Sequence, residues 1–160
     1  MIRKIATGMF AVAATTAIAM SMTAGAASAT TTSDDYDGYW GPAYAKYHAA
    51  KASGWVGVEW DDDEESNSVH VTGKLWDLDD RDYDEGGLCA YVKFQSADED
   101  YHWSTVYTKR YCGYPSYKKF SFHEDDVYSL RVKVCQVEPD SYYAENCGKW
   151  KYLYTAEGDE

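Results

Sequence analysis

From Gly54 to Tyr154 apolar side chains recur at every second position, in short runs broken by Gly, Asp and Pro. A period of two puts successive side chains on opposite faces of an extended chain, so each run has one face to bury and one to solvate. Val56, Val58 and Trp60 share one side of the first run. Val69, Val71 and Leu75 do the same in the second, with Gly73 where a bulge or a close backbone approach fits. Leu88, Ala90, Val92 and Phe94 then point inward, and Trp103, Thr105, Tyr107 and Tyr111 are expected on one face of His102–Cys112. Gly113-Tyr114-Pro115-Ser116 is a turn. Phe120 and Phe122 mark a short strand, Leu130, Val132 and Val134 a longer one, and Trp150, Tyr152 and Tyr154 the last. About seven short strands at near-regular spacing predict an all-β fold, a small antiparallel β-sandwich or a barrel-like closure of one.

The start of the chain reads as a secretory signal peptide over 1–29. Arg3 and Lys4 precede an apolar run from Gly8 to Met20, and Ala27-Ser28-Ala29 fits an A-x-A cleavage site. The expected location is therefore extracellular. Cleavage would leave 131 of the 160 residues, with 13 Lys and Arg against 27 Asp and Glu. So negative a surface repels phosphate backbones and anionic lipid, which argues against nucleic-acid and membrane partners.

All four cysteines, Cys89, Cys112, Cys135 and Cys147, lie beyond the leader. An even count in a small exported domain points to two disulfides, and four cysteines allow three pairings. Cys89–Cys112 and Cys135–Cys147 are favoured because each closes a loop the size of a hairpin. The absence of any C-x-x-C pair disfavours a four-cysteine zinc site.

Residues 30–53 have a different composition from the β domain expected over 54–160. Thr30 to Asp37 is polar and acidic. Pro42 suits a first helical turn, an Ala-rich run follows, and Gly54 suits the stop. Trp40, Tyr44 and Tyr47 fall at helical spacing. The expectation is an N-terminal arm or short helix whose aromatics Tyr36, Tyr39, Trp40, Tyr44 and Tyr47 engage a partner, since a helix of this length is marginal alone.

Residues able to carry chemistry are few. Asp77, Asp79, Asp80, Asp82 and Asp84 form an acidic loop ahead of Gly86-Gly87, the type of ligand set a hard cation such as calcium takes. The EF-hand pattern is not met, because counting from Asp80 the sixth residue is Glu85 and the twelfth Tyr91. Calcium is the one candidate cofactor, and solvated acidic turns are the plainer explanation. His48, His70, His102 and His123 are scattered, and no G-x-S-x-G elbow or phosphate-binding loop is present. An enzyme is not expected.

Val71–Asp79 (VTGKLWDLD), Gly87–Val92 (GLCAYV), Leu130–Cys135 (LRVKVC) and Asn146–Trp150 (NCGKW), behind the leader, resemble small secreted disulfide-bonded β-proteins of filamentous actinobacteria. Within that group the chain is similar to the UmbB adaptor family of the umbrella toxin particles. The resemblance implies a non-enzymatic adaptor that links a large repeat-containing toxin to secreted lectins, with the N-terminal extension on the toxin. Two other roles fit the residues. One is a carbohydrate or cell-wall binding module using Trp55, Trp76 and Trp103. The other is a protease inhibitor presenting the loop Lys109–Lys118.

Overall fold

The computed structural model describes residues 35–62, 65–141 and 143–156, with Tyr83 as backbone alone. The expected leader and the first residues of the expected arm, 30–34, lie outside that set. The described chain is an antiparallel two-sheet sandwich. Its strands are β1 (Tyr36–Tyr44), β2 (Ala50–Trp60), β3 (Asn67–Asp77), β4 (Cys89–Ala97), β5 (Trp103–Tyr111), β6 (Tyr117–Asp125), β7 (Ser129–Val137), β8 (Ala144–Glu145) and β9 (Lys151–Thr155). Sheet A has the order β1-β2-β3-β6. Sheet B has the order β5-β4-β7-β8, with β9 also paired to β7.

The alternation read from the sequence sets which face is buried. Val56, Val58, Val69, Val71 and Leu75 from sheet A meet Val92, Phe94, Leu130, Val132 and Val134 from sheet B, all with almost no solvent exposure. Gly54 and Gly73 are cross-strand partners, and a Cβ on Gly73 would lie 2.5 Å from the Phe120 ring. The bare Gly73 makes room for Phe120 in an aromatic cluster: Trp40 and Phe120 each pack on Phe94, at centroid distances of 5.5 and 5.6 Å.

Two expectations need correction. Residues 36–53 are not a helix or a separate arm. They form β1, a turn at Lys46–His48 and the start of β2, so the boundary expected at 53/54 falls inside β2. Tyr39↔Trp55 and Tyr44↔Lys51 pair β1 with β2, and Ala50↔Asp77 to Ser53↔Lys74 pair β2 with β3. Pairing with β2 lets Trp40, Ala43, Ala50 and Ala52 be buried in the core, which an isolated helix could not do, and a bulge between Trp40 and Ala43 accommodates Pro42 on the edge strand, where its missing N–H costs least. The second correction concerns β5. Phe94 pairs with Tyr107 and Gln95 with Thr105, so the register shifts there. This extra residue turns Trp103 and Thr105 outward while Tyr107 and Tyr111 pack against the core.

The disulfides are Cys89–Cys112 and Cys135–Cys147. The first ties β4 to the end of β5, and the second ties β7 to the segment before β9. They suit an oxidising compartment. Among the described residues no helix is long and apolar enough to cross a membrane.

Candidate functional site

Sheet A turns its second face to solvent. The register stacks cross-strand rows there: Tyr44–Lys51–Trp76–Tyr117, then Ser53–Lys74–Lys119, then Tyr39–Trp55–Thr72–Ser121. Aromatic rings lie at both ends of a groove of about 800 Å³, with Thr72, Lys74 and Lys119 between them and Gly54 and Gly73 in its floor. Trp55 is 47 % exposed and Tyr39 60 %, although both are large apolar rings. They pair with each other at 6.3 Å, and Trp76 pairs with Tyr117 at 5.6 Å. The Lys51 ammonium lies 4.2 Å over Trp76 and that of Lys74 4.7 Å over Tyr117. Each lysine holds its aromatic neighbour by cation–π attraction and still offers N–H donors. The groove can therefore stack a flat or ring-shaped ligand group and donate hydrogen bonds to it.

The residues expected to bind a partner are divided by the fold. Trp40 is core, only 3 % exposed. Its indole N–H has no hydrogen-bond partner. Tyr39 and Tyr44 belong to the outer face of sheet A, beside the groove. Tyr36 packs at a tilt against Tyr154, their centroids 6.0 Å apart, and Tyr47 stands 85 % exposed in the turn after β1. The spacing that suggested a helical stripe thus places Trp40 and Tyr44 on opposite sides of one strand.

The aspartates of the acidic loop are spread over different roles. Asp77 accepts the Asp79 and Gly113 backbone N–H groups at 3.2 and 2.9 Å. Burial pushes its carboxyl above the ordinary range. Asp79 accepts both Arg81 guanidinium N–H groups at 2.8 and 2.7 Å, the Leu88 N–H at 3.1 Å and the Gln136 amide at 3.0 Å. The Arg81 hydrogen bonds hold it down at about 2. Both carboxylates are fully used in bracing the β3–β4 connection. Asp80, Asp82 and Asp84 are exposed, and among the described residues no three His, Cys, Asp or Glu side chains converge as metal ligands do.

A grouping the sequence did not reveal is Ser68, His123 and Asp125, brought together by the β3–β6 register. Ser68 Oγ is 3.1 Å and Asp125 Oδ1 2.9 Å from the same ring nitrogen, Nε2 of His123. A catalytic relay needs the acid and the nucleophile on different nitrogens. Here the shorter contact of each falls on Nε2, with Ser68 Oγ 3.5 Å from Nδ1, on an exposed surface.

Acidic residues concentrate at the sandwich ends. The β2–β3, β4–β5 and β6–β7 connections meet at one end, bringing Glu65, Asp98, Glu99, Asp100 and Asp126 round a single depression. Lys51, Lys74, Lys93, Lys119 and Lys133 lie on strands between the ends.

No protein-family model, no curated protein and no solved structure matches this chain.

Proposed function

We propose that this chain is an exported, non-enzymatic interaction module, an adaptor that captures a partner on the outer face of sheet A. The observation that carries this reading is the groove flanked by Tyr39–Trp55 and Trp76–Tyr117. Exposed rings on a rigid sheet are the kind of surface that binds with little loss of conformational freedom. The resemblance to umbrella-particle adaptors supplies the partners: a large repeat-containing toxin and a secreted lectin, assembled outside the cell for competition between bacteria. The structural findings do not depend on that resemblance, and the groove supports capture of a partner whichever protein it is.

The test recovers the tagged full chain from its host's culture supernatant and identifies co-purifying proteins by mass spectrometry, beside a W55A/W76A variant. A repeat-containing toxin and a lectin that are present with the native chain and lost with the variant are expected. A chain recovered alone, or partners indifferent to the variant, overturns the reading. A second reading, a glycan-binding module, draws on the same rings: Trp55 and Trp76 flank Thr72 and two lysines, an arrangement suited to stacking a sugar and hydrogen-bonding its hydroxyls. Selective retention on a glycan array, lost in the same variant and without any protein partner, would replace the adaptor.

A further inference from the structure

The opposite face of the sandwich has a different chemistry. On the outer side of sheet B, Lys93 of β4 is the direct cross-strand partner of Lys133 of β7, and Gln95 is the partner of Arg131. Like charges placed directly opposite on one sheet face destabilise the pair. Arg131 is clamped beside them. Its guanidinium carbon lies 3.6 Å over the Trp103 ring and 4.5 Å from that of Trp150, and the Lys133 ammonium lies 4.2 Å over Trp150. Arg131 Nε and Nη2 both donate to Gln95 Oε1, at 3.1 and 2.7 Å, which fixes the plane of the fork and leaves its Nη1 edge available.

Three cations thus share one half-buried face in a chain whose formal net charge is −12. The ion pairs among the described residues are Arg81–Asp79, His102–Asp98 and His123–Asp125, so no described carboxylate neutralises them. Burial, with Arg131 and Lys93 nearby, pushes the Lys133 ammonium below its usual range. The face bears a repulsion that an incoming anion would relieve.

We propose that this face docks an extended acidic segment of a partner protein, its carboxylates two residues apart meeting the Lys93–Lys133 pair and the free edge of Arg131. The spacing matches: residues two apart on β7 are separated by about 6.7 Å, as are alternate side chains of an extended peptide. A planar carboxylate suits the immobilised guanidinium fork. The extent of the patch favours a short segment over a long polyanion. Asp98 and Asp100 lie beyond one end of it and Glu138 and Asp140 beyond the other, so a nucleic acid or a long acidic glycan would run into like charge. This site is separate from the groove on sheet A and gives the module a second partner surface, facing the other way.

The experiment titrates the full chain with the synthetic peptide Ser-Asp-Ser-Asp-Ser-Asp, following Trp fluorescence and calorimetry. The comparison ligands are the Asn-substituted peptide, sodium sulfate and an oligogalacturonate. Binding of the Asp peptide is expected to weaken about tenfold for each cation lost in K93Q, K133Q and R131Q. High salt should weaken it too, and the Asn peptide should not bind. K93Q should hold or raise the melting temperature, since it removes a repulsion, so its loss of binding cannot be unfolding. Equal binding of the Asn peptide, sulfate binding as tightly as the peptide, preference for the oligogalacturonate, or indifference to K93Q and K133Q would each overturn the proposal. Sedimentation of the free chain adds a further check. A dimer abolished by K93Q would make a second copy the occupant and overturn it as well.

Discussion

Gly54 and Gly73 face each other across β2 and β3: the bare Gly54 lets the Thr72 backbone approach, and the bare Gly73 leaves room for the Phe120 ring that packs on Phe94. A Cβ on Gly73 would sit 2.5 Å from the Phe120 ring and 3.0 Å from the Ser53 carbonyl oxygen. One on Gly54 would sit 1.9 Å from the Thr72 carbonyl oxygen, which is backbone and cannot swing away. G73A should therefore cost about 1–3 kcal/mol by overpacking, and G54A more. Urea denaturation of the two variants measures the order. If G54A proved the milder, the close backbone approach would not be what requires glycine there.

The second prediction concerns the N-terminus. Beginning the chain at Gly54 removes β1 and the first four residues of β2, and with them Trp40, Ala43, Ala45, Ala50 and Ala52 from the core. Loss of a buried Trp alone costs about 3–5 kcal/mol, a large part of the stability of a small domain. A chain beginning at Gly54 should show the far-ultraviolet dichroism of an unfolded protein, while one beginning at Asp35 should melt cooperatively. Cooperative melting of the shorter chain would restore the N-terminal segment as a dispensable arm.

These two regions also show what the sequence could reveal. Strand faces such as Val69–Val71–Leu75 and Val92–Phe94 were legible because one side of each strand is buried and a slip by one residue would expose it. The disulfide pairing was legible because both loops are local. The N-terminal segment was misread because Trp40, Tyr44 and Tyr47 happen to fall at helical spacing, and only pairing with β2 decides otherwise. The bulge that separates Trp103 from Tyr107 is likewise set by the partner strand, with no local residue to mark it. Trp55 and Trp76 could be singled out from the sequence, but the groove could not, since Tyr39, Trp55, Trp76 and Tyr117 come from four different strands. Trp103, grouped with them by type, belongs to the other face.

Asn67 offers a test of how the β6–β7 corner is held. Its side-chain amide donates to the Val127 carbonyl at 3.0 Å and accepts the Val127 N–H at 2.9 Å, a buried pair of hydrogen bonds. N67A leaves both backbone groups unsatisfied and should cost about 3 kcal/mol. N67D keeps the acceptor but sets a carboxylate oxygen against the Val127 carbonyl. Its deficit should shrink on acidification, when the acid protonates and can donate again. Thermal melts of N67D at neutral and mildly acidic pH separate this clamp from simple packing, which would give the same deficit at both.

Asp79 sets the acid sensitivity of the fold. Its carboxyl is held down at about 2, first by the Arg81 hydrogen bonds, against 3.8 ordinarily. A folded-state value below the unfolded one means that the ionised carboxylate stabilises the fold throughout the range above about pH 4. That contribution fades as the pH falls towards 2, and is on the order of 2 kcal/mol for a shift of this size. Arg81 is half exposed, so solvent screening takes part of it. Asp77 slopes the opposite way, because burial raises its carboxyl and protonation favours the folded form. D79N should therefore be less stable at neutral pH and lose less on acidification between pH 4 and 2, while D77N should lack the gain that protonating Asp77 gives the native fold as the pH falls from 7 towards 4. Urea midpoints of the three proteins at pH 7, 4 and 2 measure this. Parallel acid losses in all three would show that neither carboxylate titrates differently on folding, and would remove Asp79 as the brace of the β3–β4 connection.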